Sequence, residues 1–129
     1  MAVRCALLLD LSVAAGYGRA LWDEPCESWI EVPLAIPHGR YLGLKVSGDS
    51  MLPLLESGDV ILVKLDAIPI HDDLVVAQRS ENEYVVKRVS AISDSVIELE
   101  SLNRSHETFS LTREAGVILG TVVARFQKA

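Results

Sequence analysis

The chain has 129 residues, half of them hydrophobic but only 5% aromatic, and 18 carboxylates against 12 Lys and Arg leave a formal net charge of −6. That size admits one domain with a core of its own, here an aliphatic one, and excludes two ordinary domains. The acidic balance, with basic residues scattered along the chain, argues against tight nucleic-acid binding by this chain alone, because phosphate neutralisation dominates such affinity.

Residues 1–31 read as a leader and an extended arm. Met1-Ala2-Val3-Arg4-Cys5-Ala6-Leu7-Leu8-Leu9 resembles a signal peptide only superficially, since Asp10 cuts its apolar run short of what export needs. No stretch approaches the roughly 18 apolar residues of a membrane span, so a soluble, cytoplasmic chain is expected. Gly16, Gly18 and Pro25 punctuate this segment, and its apolar positions follow no period. Cys5 and Cys26 lack CxxC spacing and are expected to be free thiols, while His38, His71 and His106 stand apart with no second ligand at metal spacing. No metal and no cofactor is expected.

Pro33 and Pro37 bracket the entry into a domain spanning 32–129, with Gly39 and Gly43 as turn or bulge positions. Short aliphatic runs bounded by Gly, Pro, Asp, Asn or Ser then predict strands over Tyr41 to Val46, Asp59 to Leu65, Leu74 to Arg79, Tyr84 to Val89, Val96 to Glu100 and Val117 to Phe126. The class is mainly β. Helical periodicity is confined to one short turn from Ser50 through Leu55.

Two residues carry chemistry. In Val46-Ser47-Gly48-Asp49-Ser50-Met51-Leu52-Pro53, Gly48 permits a tight backbone and Pro53 fixes the exit, so Ser50 can be presented at the start of a helical turn. Backbone N–H groups at such a turn point outward, and those of Asp49 and Ser50 can hold the oxyanion of an acyl transfer. A serine that merely caps the turn explains the same pattern. A serine hydroxyl attacks amides only when a base takes its proton, and Lys87, 37 residues on in Tyr84-Val85-Val86-Lys87-Arg88-Val89, shares a strand face with Val85 and Val89. Burial there disfavours the ammonium form, each pKa unit of lowering costing about 1.4 kcal/mol. Lys64 in Val60-Ile61-Leu62-Val63-Lys64 has an equally apolar face, and periodicity alone does not choose between the two.

These motifs, together with Gly58-Asp59-Val60-Ile61-Leu62-Val63 and Asp73-Leu74-Val75-Val76-Ala77, resemble the LexA-type S24 family of self-cleaving serine peptidases from about Val13 to Phe126. The family includes LexA, phage repressors of the lambda cI kind and UmuD. The resemblance implies a mainly-β, signal-peptidase-like fold of coiled sheets with an SH3-like barrel portion and a short helical turn at the nucleophile. It assigns Ser50 as nucleophile and Lys87 as base, and sets Lys64 aside. It also implies a cut in the chain's own arm, for which Val13-Ala14-Ala15-Gly16 supplies an Ala15–Gly16 bond, otherwise an ordinary flexible linker. A tethered substrate has a high effective concentration, so a modest Ser/Lys pair can suffice.

Two departures stand out. Asp72 occupies a place before Asp73 where relatives often carry Gly, which should alter only a turn. Only 15 residues precede Gly16, so the helix-turn-helix of the repressors is not in this chain and direct DNA binding by it is not expected. By resemblance, the chain is expected to be the peptidase domain of a LexA-like or phage-type SOS repressor, a homodimer whose cleavage is stimulated by the RecA filament on single-stranded DNA. A UmuD-like accessory subunit of a translesion DNA polymerase is the alternative. A signal peptidase shares the chemistry but requires a membrane anchor.

Overall fold

The computed structural model describes residues 5–10, 29–46, 51–65, 67–80, 83–103, 108–114 and 117–126. Among these, nine strands form one sheet: β1 (Cys5–Asp10), β2 (Trp29–Glu31), β3 (Tyr41–Lys45), β4 (Val60–Leu65), β5 (Leu74–Ser80), β6 (Glu83–Ile92), β7 (Val96–Glu100), β8 (Phe109–Thr112) and β9 (Ile118–Phe126). Their order is β2-β1-β3-β4-β9-β5-β6-β7-β8. All six expected strands are present, and the mainly-β class holds. Three more were not anticipated.

Two of the three lie in the stretch read as leader and arm. β1 pairs antiparallel with β2 and parallel with β3, where Leu7 stands opposite Leu42. Both faces of β1 meet apolar partners, Ala6 in the cluster with Val32 and Leu62 and Leu7 against that of Leu42 and Leu44, which is why the run lacks a polar face. Gly43 also departs from expectation. It sits inside β3 opposite Leu62, and a Cβ there would come within 2.8 Å of Ile30 Cδ1, so the site is one of close packing rather than a turn.

The sheet has two apolar faces. On one, Leu42, Leu44, Val46, Met51, Leu55, Ile61, Val63 and Leu65 from β3, β4 and their connection pack with Val76 of β5 and Val86 of β6. The other carries Val75, Ala77, Val89, Ile97 and Leu99, and beyond them Ala6, Val32 and Leu62. Truncating any of the fully buried leucines to Ala costs about 2–5 kcal/mol, through lost transfer energy and the cavity left behind. Register shifts at Leu62/Val63, Val76/Ala77, Gln78/Ser80 and Val89/Ala91 coil the sheet.

β9 holds the middle, pairing with β4 on one edge and β5 on the other. Gly120 is opposite both Leu65 and Val76, and a Cβ at Gly120 would lie 2.3 Å from the Lys64 carbonyl oxygen. Only glycine lets the strands approach so closely.

The Asp72 position is also resolved. Asp72 takes a φ of 71°, in the left-handed region that favours glycine. The turn around it is held by Asp72 N–H donating to Val89 O (2.9 Å), Asp73 N–H to Ile70 O (3.1 Å) and Ile70 N–H to Asp73 Oδ2 (2.9 Å). Asp72 thus stands within a hydrogen-bonded turn whose backbone suits the glycine it replaces.

Candidate functional site

The connection from β3 to β4 contains the serine motif, and its neck is tied. Val46 N–H donates to Asp59 O at 2.7 Å and Gly58 N–H to Val46 O at 2.8 Å. Gly58 has φ 100°, a conformation that side chains resist, so the return into β4 requires glycine there. Asp59 is 3% exposed, and its Oδ2 accepts the Glu56 N–H at 2.9 Å. A buried carboxylate is tolerated only when hydrogen-bonded in this way. Sequence reading placed Asp59 at the head of a strand; it lies one residue before β4 instead, as a buried carboxylate that the strand pattern did not reveal.

Met51–Leu55 form one α-type turn, with Leu55 N–H donating to Met51 O at 2.9 Å, and the Leu52–Pro53 bond is cis. The short helical turn foreseen from Ser50 through Leu55 is not found: residues 51–55 form a hydrogen-bonded turn with a cis bond inside it, a geometry that no helix accommodates. Met51 and Leu55 plug into the core beside Ile61 and Val63. At the far end of the turn, the Leu54 carbonyl accepts a hydrogen bond from Arg125 Nη1 at the end of β9. Ser50 and Asp49, like Ala15 and Gly16, lie outside the described residues.

Lys87 lies in the middle of β6, opposite Val75. It is 4% exposed, while Lys64 on β4 keeps a partly exposed side chain. Burial thus separates the two lysines that local pattern left equivalent. Neighbouring Val86 faces the other way, into the cluster that holds Met51 and Leu55. The residue before Lys87 and the residue after Ser50 therefore share one buried cluster.

The charge environment of Lys87 favours the neutral amine. Burial pushes its pKa below the ordinary lysine value, the Arg79 guanidinium pushes it further down by like-charge repulsion, and Glu83 opposes both. Arg79 is set by two contacts, its Nε 3.6 Å from Glu83 Oε1 and its guanidinium carbon 5.6 Å from the Phe109 ring centroid. Arg88, on the opposite strand face, pairs with Glu100 of β7, its Nε donating to Oε1 at 2.8 Å. Among the described residues, then, Glu100 is taken by Arg88 and Glu83 by Arg79, and Lys87 has no ion-pair partner. Arg79 and Glu83 escaped sequence analysis because they meet across the hairpin between β5 and β6.

No group of three His, Cys, Asp or Glu side chains able to hold a metal occurs among the described residues, and no helix there is long and apolar enough to cross a membrane. His71 is exposed beside Asp72, with Nδ1 to Oδ2 at 3.4 Å. Cys5 is an exposed free thiol, while Cys26 and His106 lie outside the described residues.

A strand carries a nearly solvent-free amine with lowered basicity, and a tied turn begins directly after a serine. The family model described as Peptidase S24-like matches residues 7–123. The chain is 34% identical over 120 residues to the LexA repressor of Carboxydothermus hydrogenoformans, covering 91% of this chain and 57% of that protein. It is 33% identical over 91 residues to the LexA repressor of Pelagibacter ubique (70% and 40%), and 30% identical over 120 residues to that of Gluconobacter oxydans (87% and 50%). The chain spans about half the length of the curated relatives it matches.

Proposed function

This chain belongs to the Peptidase S24-like family, and on that premise we propose that it is the self-cleaving Ser/Lys peptidase domain of a LexA-like repressor. Neutral Lys87 takes the proton from the Ser50 hydroxyl, and Ser50 Oγ attacks the Ala15 carbonyl carbon. The N–H groups of Asp49 and Ser50 hold the tetrahedral oxyanion. On collapse, the C–N bond breaks and the proton on Lys87 passes to the departing Gly16 amine. Water then hydrolyses the Ser50 ester and returns the free hydroxyl. The domain works as a homodimer, and the RecA filament on single-stranded DNA stimulates the cut.

The observation that carries this reading is Lys87 itself. A lysine 4% exposed, without an ion pair among the described residues and with its pKa pushed down, costs stability unless its neutral form is used. The repressor reading is preferred to a polymerase accessory subunit because the relatives bear the repressor name.

Mass spectrometry of the purified chain held at pH 7 and at pH 10 tests the proposal. Two fragments meeting at Ala15–Gly16, accumulating faster at pH 10, are expected, and Ser50→Ala and Lys87→Ala variants should stay whole. An intact wild-type mass at both pH values overturns it.

A further inference from the structure

Arg125 reaches from the end of β9 to a main-chain carbonyl 71 residues away in sequence, that of Leu54. The single bond of this turn, Leu55 N–H to Met51 O, leaves the Leu54 carbonyl free to accept from elsewhere, and a guanidinium is well suited to satisfy it. The rest of the turn is tied at other points: Leu55 N–H to Met51 O within it, and Asp59 Oδ2 to Glu56 N–H just beyond. Between those bonds the Leu54 peptide lies outside the core, with its side chain 40% exposed.

The register explains why Arg125 reaches this peptide. Arg125 stands opposite Ile61, and Ile61 packs in the same cluster as Met51 and Leu55. The guanidinium therefore emerges on the sheet face against which the turn rests. Apolar packing fixes one side of the turn, through Met51 and Leu55. Arg125 fixes the other with a directional, charge-assisted bond.

We propose that Arg125 is a positioning residue for the turn that follows the serine in sequence, holding the Leu54 carbonyl and so fixing the far end of the main chain that leads back, four residues earlier, to Ser50. The inference deepens the peptidase reading and rests on it for the meaning of that hold. Misplacing a reacting group by about an ångström can slow an intramolecular reaction by on the order of a hundredfold, so a hold on the main chain beside the nucleophile bears on rate without touching the reacting atoms.

The test uses the full chain and has two readouts. In a Ser50→Ala background, which keeps the chain whole, amide hydrogen exchange at Leu55 should rise on the order of tenfold in Arg125→Gln, while the β3–β4 amides keep their protection. Arg125→Lys, which retains a donor, should restore most of it. With Ser50 present, Arg125→Gln should slow alkaline self-cleavage on the order of tenfold, without moving the pH at which the rate is half-maximal. Unchanged Leu55 exchange in Arg125→Gln overturns the proposal whether or not the wild type cuts itself, and so does a moved pH midpoint, which would mean action through Lys87. If the wild type stays uncut, the peptidase reading falls, and the exchange result alone decides whether Arg125 holds the turn.

Discussion

Lys87 stands directly across the β5–β6 ladder from Val75, a residue with no exposed surface. Cross-strand partners share a sheet face, so the amine-bearing side chain runs over valine rather than into water. The next row on that face pairs Ala77 with Val85, and both Ala77 and Val89 are buried. Solvent exclusion around Lys87 is thus a property of two strands, and several consequences can be measured.

The two charges flanking Lys87 should shift the pH dependence of self-cleavage in opposite directions. Glu83 favours the ammonium form, so Glu83→Gln should move the alkaline rise in rate to lower pH. Arg79 disfavours it, so Arg79→Gln should move the rise to higher pH. Both groups are more than half exposed, so added salt should shrink both shifts. Cleavage rates between pH 7 and 11 give the answer, and shifts of the same sign for both variants would be incompatible with this balance.

Holding Lys87 in the folded state should weaken the protein at neutral pH. A lysine with a folded pKa below its unfolded one makes folding release protons in the interval between them, and stability rises with pH across that interval. The penalty is complete below the folded value and gone above the ordinary value of about 10.4. In a Ser50→Ala background, Lys87→Met should therefore melt several degrees above its parent at pH 7. The gap should narrow as pH climbs toward 10.4. Thermal melts at pH 7, 9 and 10.5 measure it, and a gap indifferent to pH would mean that the ammonium is well tolerated.

Gly120→Ala should lower stability by about 1–3 kcal/mol, the usual cost of overpacking a closed site. The added methyl would meet the Lys64 carbonyl at 2.3 Å and Val63 Cγ1 at 2.7 Å, and the first of these is backbone that cannot rotate away. Chemical denaturation is the measurement. An unchanged midpoint would show that β4 and β9 have room to part.

At Asp72 the sign reverses. Relief of a left-handed φ outweighs the extra chain entropy of glycine, so Asp72→Gly should stabilise by about 0.5 kcal/mol. Asp72→Ala should cost about 1 kcal/mol, because alanine meets the same backbone without the short polar side chain that eases it. Urea titrations of the two variants should bracket the wild type.

Much of this was legible in the chain because strand signals repeat. Val60, Leu74 and Val96 each open an aliphatic run directly after Asp or Ser, and each begins a strand. Cys5–Asp10 escaped because a strand with apolar partners on both faces shows no alternation, and an unpatterned apolar run near a chain start resembles a leader. Trp29–Glu31 and Phe109–Thr112 are too short for a period to establish itself, and they form the two rims of the sheet. At the site, Lys87 could be nominated from its valine neighbours but not separated from Lys64, since burial is decided by strands far off in sequence. Arg125 gave no local signal, because its partner is a main-chain oxygen that any residue at 54 would supply.

The placement of β9 has a consequence for timing during synthesis. The β1–β4 half, with the serine-bearing connection, and the β5–β8 half, with the lysine, are joined in the ladder through β9, the last of the nine strands in chain order. A nascent chain can zip each half separately, yet it lacks the seam between them until residues 118–126 emerge. On the peptidase reading proposed above, a half-made polypeptide would be spared premature severing without an inhibitor, since the two halves would lack their pivot until β9 is in place.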